Sequence, residues 1–217
     1  MAQYNLGDLY LRGLGVPQDY TEAAGWFWKS AEQGYRASQY NLAVLYQIGL
    51  GMPQEMEQAV FWHHKAAEQG DANSQLNLGI LYASGKGVAV DYKQAVNWTF
   101  KAVGQGLPDA QANMGYFYYH GWGVPQDYKE ASIWYRAAAE KGFAGAQYNL
   151  GLLYASGKGV PKDDQEACFW LMLAARQEYE NAVPELERIS ATLMAEDLAS
   201  IRQRVVAWKT DIKEMNA

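Results

Sequence analysis

The chain has 217 residues, 49% of them hydrophobic, and a net charge of −6 from 18 basic and 24 acidic side chains. A mildly acidic chain without blocks of like charge lacks the basic stripe that tracks a phosphate backbone, so nucleic acid is not expected as a partner. Cys168 is the single cysteine, which rules out an intrachain disulfide, and no apolar run approaches the length of a membrane span.

The first element is predicted from residue 2, where Ala2, Leu6, Leu9 and Tyr10 recur at helical spacing until Gly13 and Gly15 break the pattern. The same block returns at Ser38, Ser74, Ala110 and Ala146, and Trp26, Trp62, Trp98, Trp134 and Trp170 repeat with it at a fixed period. A period of this size marks a supersecondary unit that buries its apolar face only by stacking on its neighbours. Five units are expected, over 2–37, 38–73, 74–109, 110–145 and 146–181, forming one continuous domain.

Each unit reads as helix A, a loop and helix B. The loop has the form G-x-G, at Gly13-Gly15, Gly49-Gly51, Gly85-Gly87, Gly121-Gly123 and Gly157-Gly159. Helix B is expected to start at Asp19, Glu55, Asp91, Asp127 and Asp163, each followed three residues later by Glu or Gln, the spacing of a capping box. This acidic ladder reads as capping before any metal or catalytic role. Helix B should stop at Gly34, Gly70, Gly106 and Gly142. Glu178 stands at that place in the fifth unit, where the helix should end differently or run on. The periodic tryptophans read as core anchors at the seams, not a sugar-binding ladder, and Cys168 as core. Residues 182–217 leave the consensus, with Pro184 placed to open a helix and Leu198, Ile201, Val205 and Trp208 spaced as one apolar face, as a C-terminal cap requires.

The blocks AQYNLG, G-x-G-V-P-x-D-Y, A-x-x-W and A-A-E-x-G together resemble the Sel-one-like repeat (SLR) family, relatives of the tetratricopeptide repeats. The resemblance implies an all-α, right-handed α/α superhelical solenoid of five 36-residue repeats plus a helical cap, with a concave surface lined largely by A helices. It also implies a noncatalytic bacterial scaffold or adaptor that binds a peptide or protein segment on that surface. A structural or oligomerisation module acting through its ends is the leading alternative. An envelope-associated hydrolase comes third, because some cysteine-rich members of the family are linked to β-lactam chemistry.

The residues for enzymatic chemistry are missing. There is no Ser-x-x-Lys, and His63, His64 and His120 are the only histidines, without a His-Glu-x-x-His zinc signature. The Ser84-Gly85-Lys86-Gly87 and Ser156-Gly157-Lys158-Gly159 runs lack the spacing and the preceding strand of a phosphate loop. No catalytic residue, cofactor or metal is expected.

Recognition remains, and positions that vary between otherwise faithful copies are the ones freed from stacking. The fourth copy gathers Tyr116, Tyr119, His120 and Trp122 near one helix end, rigid groups with polar tips that suit a binding hot spot. Alternatively, Tyr116 and Trp122 fill an inter-repeat gap. One asparagine per copy, Asn5, Asn41, Asn77, Asn113 and Asn149, sits in mid-helix, where its weak propensity asks for a side-chain role. Its amide suits an extended peptide backbone lying across successive helices, and equally a bond to a neighbouring helix. The candidate protein- or peptide-binding residues are thus Asn41, Asn77, Asn113, Tyr116, Tyr119, His120 and Trp122. The first helix opens the array without a covering element, so an exposed seam including Tyr4 and Leu11 is expected there, and with it truncation of a longer array or self-association. The chain is expected to be soluble, in a bacterial cytoplasm or periplasm.

Overall fold

A computed structural model describes residues 1–215, with side chains to Trp208. The described residues form twelve α-helices and no strand, an all-α repeat fold divided into two compact units, Met1–Gln105 and Gly106–Ala217.

The first unit holds three helical hairpins: α1 (Ala2–Arg12) with α2 (Tyr20–Ala31), α3 (Arg36–Ile48) with α4 (Met56–Glu68), and α5 (Ala72–Ser84) with α6 (Tyr92–Val103). The second holds α7 (Pro108–His120) with α8 (Tyr128–Glu140), and α9 (Ala144–Ser156) with α10 (Asp164–Ala175). Its remaining helices, α11 (Ala182–Ser190) and α12 (Ala195–Met215), both pack on α10. Odd-numbered helices through α9 are the A helices and even-numbered ones through α10 the B helices.

Each A helix ends on a left-handed glycine, and the chain then turns into helix B. Asp19, Asp91, Asp127 and Asp163 cap helix B, their carboxylates accepting from the second and third backbone N–H groups. Glu55, one methylene longer, makes no such bond. The reciprocal half of a capping box is replaced at every hairpin. The N–H of Asp19, Glu55, Asp91, Asp127 and Asp163 donates instead to the carbonyl of Tyr10, Tyr46, Tyr82, Tyr118 and Tyr154, which ties helix B to helix A.

Close packing inside the hairpin follows from a missing side chain. A β-carbon on Gly7 would stand 2.8 Å from Phe27, and one on Gly115 2.6 Å from Tyr135, so at these hairpins glycine in helix A makes room for the large residue that follows the tryptophan. The second loop glycine does the same between repeats. At Gly51, Gly87 and Gly159, each with positive φ, a β-carbon would overlap the backbone of Tyr20, Met56 and Tyr128, at the start of the preceding helix B.

Trp62, Trp98 and Trp170 are buried, whereas Trp26 and Trp134 are half-buried. His64, on the B helix before that of Trp98, meets the Trp98 ring edge-on at 5.3 Å, and its Nε2 hydrogen-bonds the Tyr82 hydroxyl at 2.8 Å. Cys168 lies in the core, where burial pushes its thiol pKa up. In the C-terminal helices Ile201 and Val205 are buried, and Leu198 and Trp208 pack beside them against the same core.

One expectation fails. Helix α10 ends at the place its counterparts do, with Glu178 adopting φ 60, the single positive φ outside glycine among the described residues. The Glu178 and Tyr179 N–H groups donate to Ala175 and Ala174, as Gly34 and Tyr35 donate to Ala31 and Ser30 in the first copy. Packing of the next helix on α10 thus outweighs the strain of a β-carbon in left-handed backbone.

Candidate functional site

Two ladders of side-chain amides run along the A helices, and only one of them is occupied by the fold. Gln39, Gln75 and Gln147 are buried, and each donates Nε2 to the carbonyl of Ala31, Ala67 or Ala139 at 3.1 Å. Their Oε1 atoms accept from Gln69, Gln105 and Gln177, at the next helix end. Asn41, Asn77, Asn113 and Asn149 are half-buried, and among the described residues their amides bond no neighbouring helix. The stacking role open to the asparagines is therefore taken by glutamines that the sequence reading passed over.

In the second unit the asparagine side of the A helices opens into two clefts. One, of about 340 Å³, is lined by Tyr116, Tyr119, His120, Asn149, Lys158 and Arg188 among others. The other, of about 500 Å³, is lined by Ala112, Asn113, Phe143, Gly145 and Tyr179, and shares Tyr116 and Asn149 with the first. The two adjoin through those shared residues. Asn41 and Asn77 lie on α3 and α5 of the first unit, apart from these lining sets.

The aromatic group forms one cluster at the end of α7. Tyr116 stands 4.2 Å from His120 and 5.3 Å from Trp122, ring centre to ring centre, and Tyr119 stands 5.0 Å from His120. Tyr119 also meets Tyr128 at 5.1 Å and packs against the core, so it is anchored from behind, whereas Tyr116 is 41% exposed. Tyr135 forms the floor, its phenol pKa raised first by burial and then by Tyr116 and Tyr119.

Cations complete the first cleft. Lys158 Nζ donates to the Tyr119 hydroxyl at 3.3 Å and sits over the Tyr119 and Tyr128 rings. That hydrogen bond raises the Lys158 pKa, so the ammonium is charged at neutral pH. Arg188 pairs with Glu185 at 2.8 Å. Lys158, Arg188 and Glu185 are not among the residues expected from the sequence, although for the last two the signal is there. Continuing the period past the fifth copy puts Glu185 at the Asn149 position and Arg188 at the Leu152 position, so α11 stands where a sixth A helix would.

The first helix corrects another expectation. Tyr4 packs on Phe27 and Tyr35, with ring centres 5.8 and 5.1 Å apart, and Leu11 lies against the same core. Leu9 is the exposed residue, at 38%, where its counterparts Leu45, Leu81, Phe117 and Leu153 are at 1–4%.

A family model for the Sel1 repeat matches residues 1–35, 36–71, 72–107, 108–143 and 144–179. The chain belongs to the Sel1 repeat family. Sel1 repeat proteins are generally noncatalytic protein-interaction scaffolds. A Sel1 repeat protein from Oxalobacter formigenes is 38% identical with a TM-score of 0.81, over 85% of this chain and 74% of that one. A protective antigen of uropathogenic Escherichia coli displaying an SLR fold is 39% identical with a TM-score of 0.81, over 85% of this chain. This chain spans only 40% of that antigen's length. A putative Sel1 repeat protein from Klebsiella pneumoniae is 27% identical with a TM-score of 0.52, over 87% of this chain and 92% of that one. Among curated proteins none matches. Among the described residues no helix of this Sel1 repeat chain is long and apolar enough to cross a membrane, and no three metal-ligating side chains of His, Cys, Asp or Glu cluster.

Proposed function

We propose that this Sel1 repeat protein is a noncatalytic adaptor that holds an extended peptide segment on the A-helix surface of its second unit. The observation that carries this reading is the pair of adjoining clefts sharing Tyr116 and Asn149. Asn113 and Asn149 present amides that the fold leaves unbonded, able to give and take a hydrogen bond with peptide backbone. Tyr119, braced from behind, stands with Tyr116, His120 and Trp122 as an aromatic anchor, and its fixed ring lowers the entropy lost on binding. Selection of displayed random peptides on the purified protein tests the reading. Binding of the selected peptides is expected to fall about tenfold in Tyr119→Ala and His120→Ala, the scale of a hot-spot residue, with the thermal melt unchanged in His120→Ala and lowered in Tyr119→Ala, whose ring packs against the core. Absence of selected peptides, or binding indifferent to both substitutions, would overturn it.

A second reading, association through the first helix, rests on Leu9. A leucine exposed where four counterparts are buried offers a second copy an apolar surface. Sedimentation at rising concentration tests it: mass should grow with concentration in the parent protein and stay constant in Leu9→Lys. A mass independent of concentration in both would exclude it.

A further inference from the structure

We infer that the peptide taken by this groove is bipartite, with an acidic residue at the Lys158–Arg188 end and a bulky apolar residue at the Phe143–Tyr179 end. The inference rests on the peptide-binding reading and assigns the chemistry of its partner.

Charge sets the first end. The chain carries −6 overall, yet the lining of the first cleft includes Lys158 and Arg188 against the single carboxylate of Glu185. Glu185 is already engaged by Arg188, through Nε at 2.9 Å and through a terminal nitrogen at 2.8 Å. Lys158 is held by a phenol and two aromatic faces, none of which cancels its charge. A positive spot on an acidic protein is a local complement to a carboxylate. The hydrogen bond from Lys158 to Tyr119 also fixes the ammonium beside the aromatic anchor, so the anion and the ring-contacting part of the ligand must be close together.

Shape and polarity set the other end. Past Tyr116 and Asn149 the lining turns to Ala112, Phe143, Ala144, Gly145 and Tyr179, with no charged side chain. Gly145 keeps this half open: a β-carbon there would stand 3.3 Å from the Phe143 ring and 3.8 Å from the Tyr179 ring. Burial of an apolar side chain among these rings is favourable, and a second charge there would lose its hydration without a partner. A small free anion would fill only the first cleft. A peptide fills both, with its backbone passing the Asn149 amide that borders each.

Random sixteen-residue peptides displayed against the full chain, followed by anisotropy titration of synthetic copies, test the pairing. Selected peptides are expected to combine Asp or Glu with Leu, Ile, Phe or Trp. Replacing the acid by its amide should weaken binding about tenfold, as should replacing the apolar residue by alanine. Lys158→Glu, a fully exposed position, should remove binding of the acidic peptide and admit its lysine counterpart, with an unchanged melt. Selected peptides that keep their affinity in Lys158→Glu and after the acid-to-amide change would overturn the bipartite assignment while leaving peptide binding standing. Failure to select any peptide would overturn both.

Discussion

Nδ1 of His63, on the B helix of the second repeat, lies 3.3 Å from the hydroxyl of Ser74, on the A helix of the third. Its Nε2 lies 3.3 Å from Gln47 Oε1, so the imidazole bridges three helices of one seam with no surface exposed. The other copies place Phe27, Thr99, Tyr135 and Leu171 at this position, opposite a glycine, and His63 stands opposite Ala43.

Burial, and secondarily His64, pushes the His63 pKa down from 6.5 to about 4. The unfolded chain then takes up the proton first. Stability contributed by the neutral ring is fully present above pH 6.5 and is lost as the pH falls towards 4, a change of about 3 kcal/mol. Melting of the parent protein should therefore drop between pH 7 and pH 4 by more than that of His63→Leu. Parallel pH profiles for the two proteins would show that the ring does not titrate as its burial requires.

The two amide ladders should separate cleanly. Gln147→Ala removes two buried side-chain bonds, to the Ala139 carbonyl and from Gln177, and should cost about 1–3 kcal/mol. Asn149→Ala removes no internal bond and replaces a weaker helix former, so the melt should hold or rise slightly, while peptide affinity falls. Equal losses of stability in both variants would return the asparagines to the stack.

Trp98 packs against Val60, Leu78 and Leu81, and among the described residues its indole N–H has no acceptor. Trp98→Ala should cost about 3–5 kcal/mol, the range for a buried aromatic. Trp98→Phe should cost much less, since no hydrogen bond is lost. Urea denaturation of the two variants measures the difference.

Glu178→Gly should raise stability by about 1 kcal/mol, because glycine adopts left-handed backbone without the β-carbon penalty. Gly15→Ala and Gly51→Ala impose similar strain, with φ of 76 at both. Only Gly51 also faces the Tyr20 backbone, so its variant should be the more damaged by at least about 2 kcal/mol, read by thermal melting.

Much of the fold is legible in the chain because periodicity reports it directly: the glycine pairs, the aspartate caps and the tryptophans recur in register with the helices. Within a register, however, recurrence does not tell which of two neighbouring ladders faces inward. Gln147 and Asn149 repeat equally well, and only the position of the preceding carbonyl separates them. The aromatic half of the candidate site stands out because Tyr116, Tyr119, His120 and Trp122 crowd one copy. Its charged half is hidden: α11 retains the period at Glu185 and Arg188 but not the consensus that would draw attention to it. Leu9 is hidden for the opposite reason, since the same residue stands at Leu45, Leu81 and Leu153 and only its exposure sets it apart.

Where Gly51, Gly87 and Gly159 meet the preceding helix, main chain rests on main chain. A joint of that kind does not depend on the outward side chains of helix A. The outward residues of an A helix can be exchanged wholesale, as Tyr116, Leu152 and Arg188 at equivalent positions already illustrate, without retuning the spacing beneath them. Recognition in such a chain can be rewritten one repeat at a time, and a helix face transplanted from one copy to another should bring its preference with it.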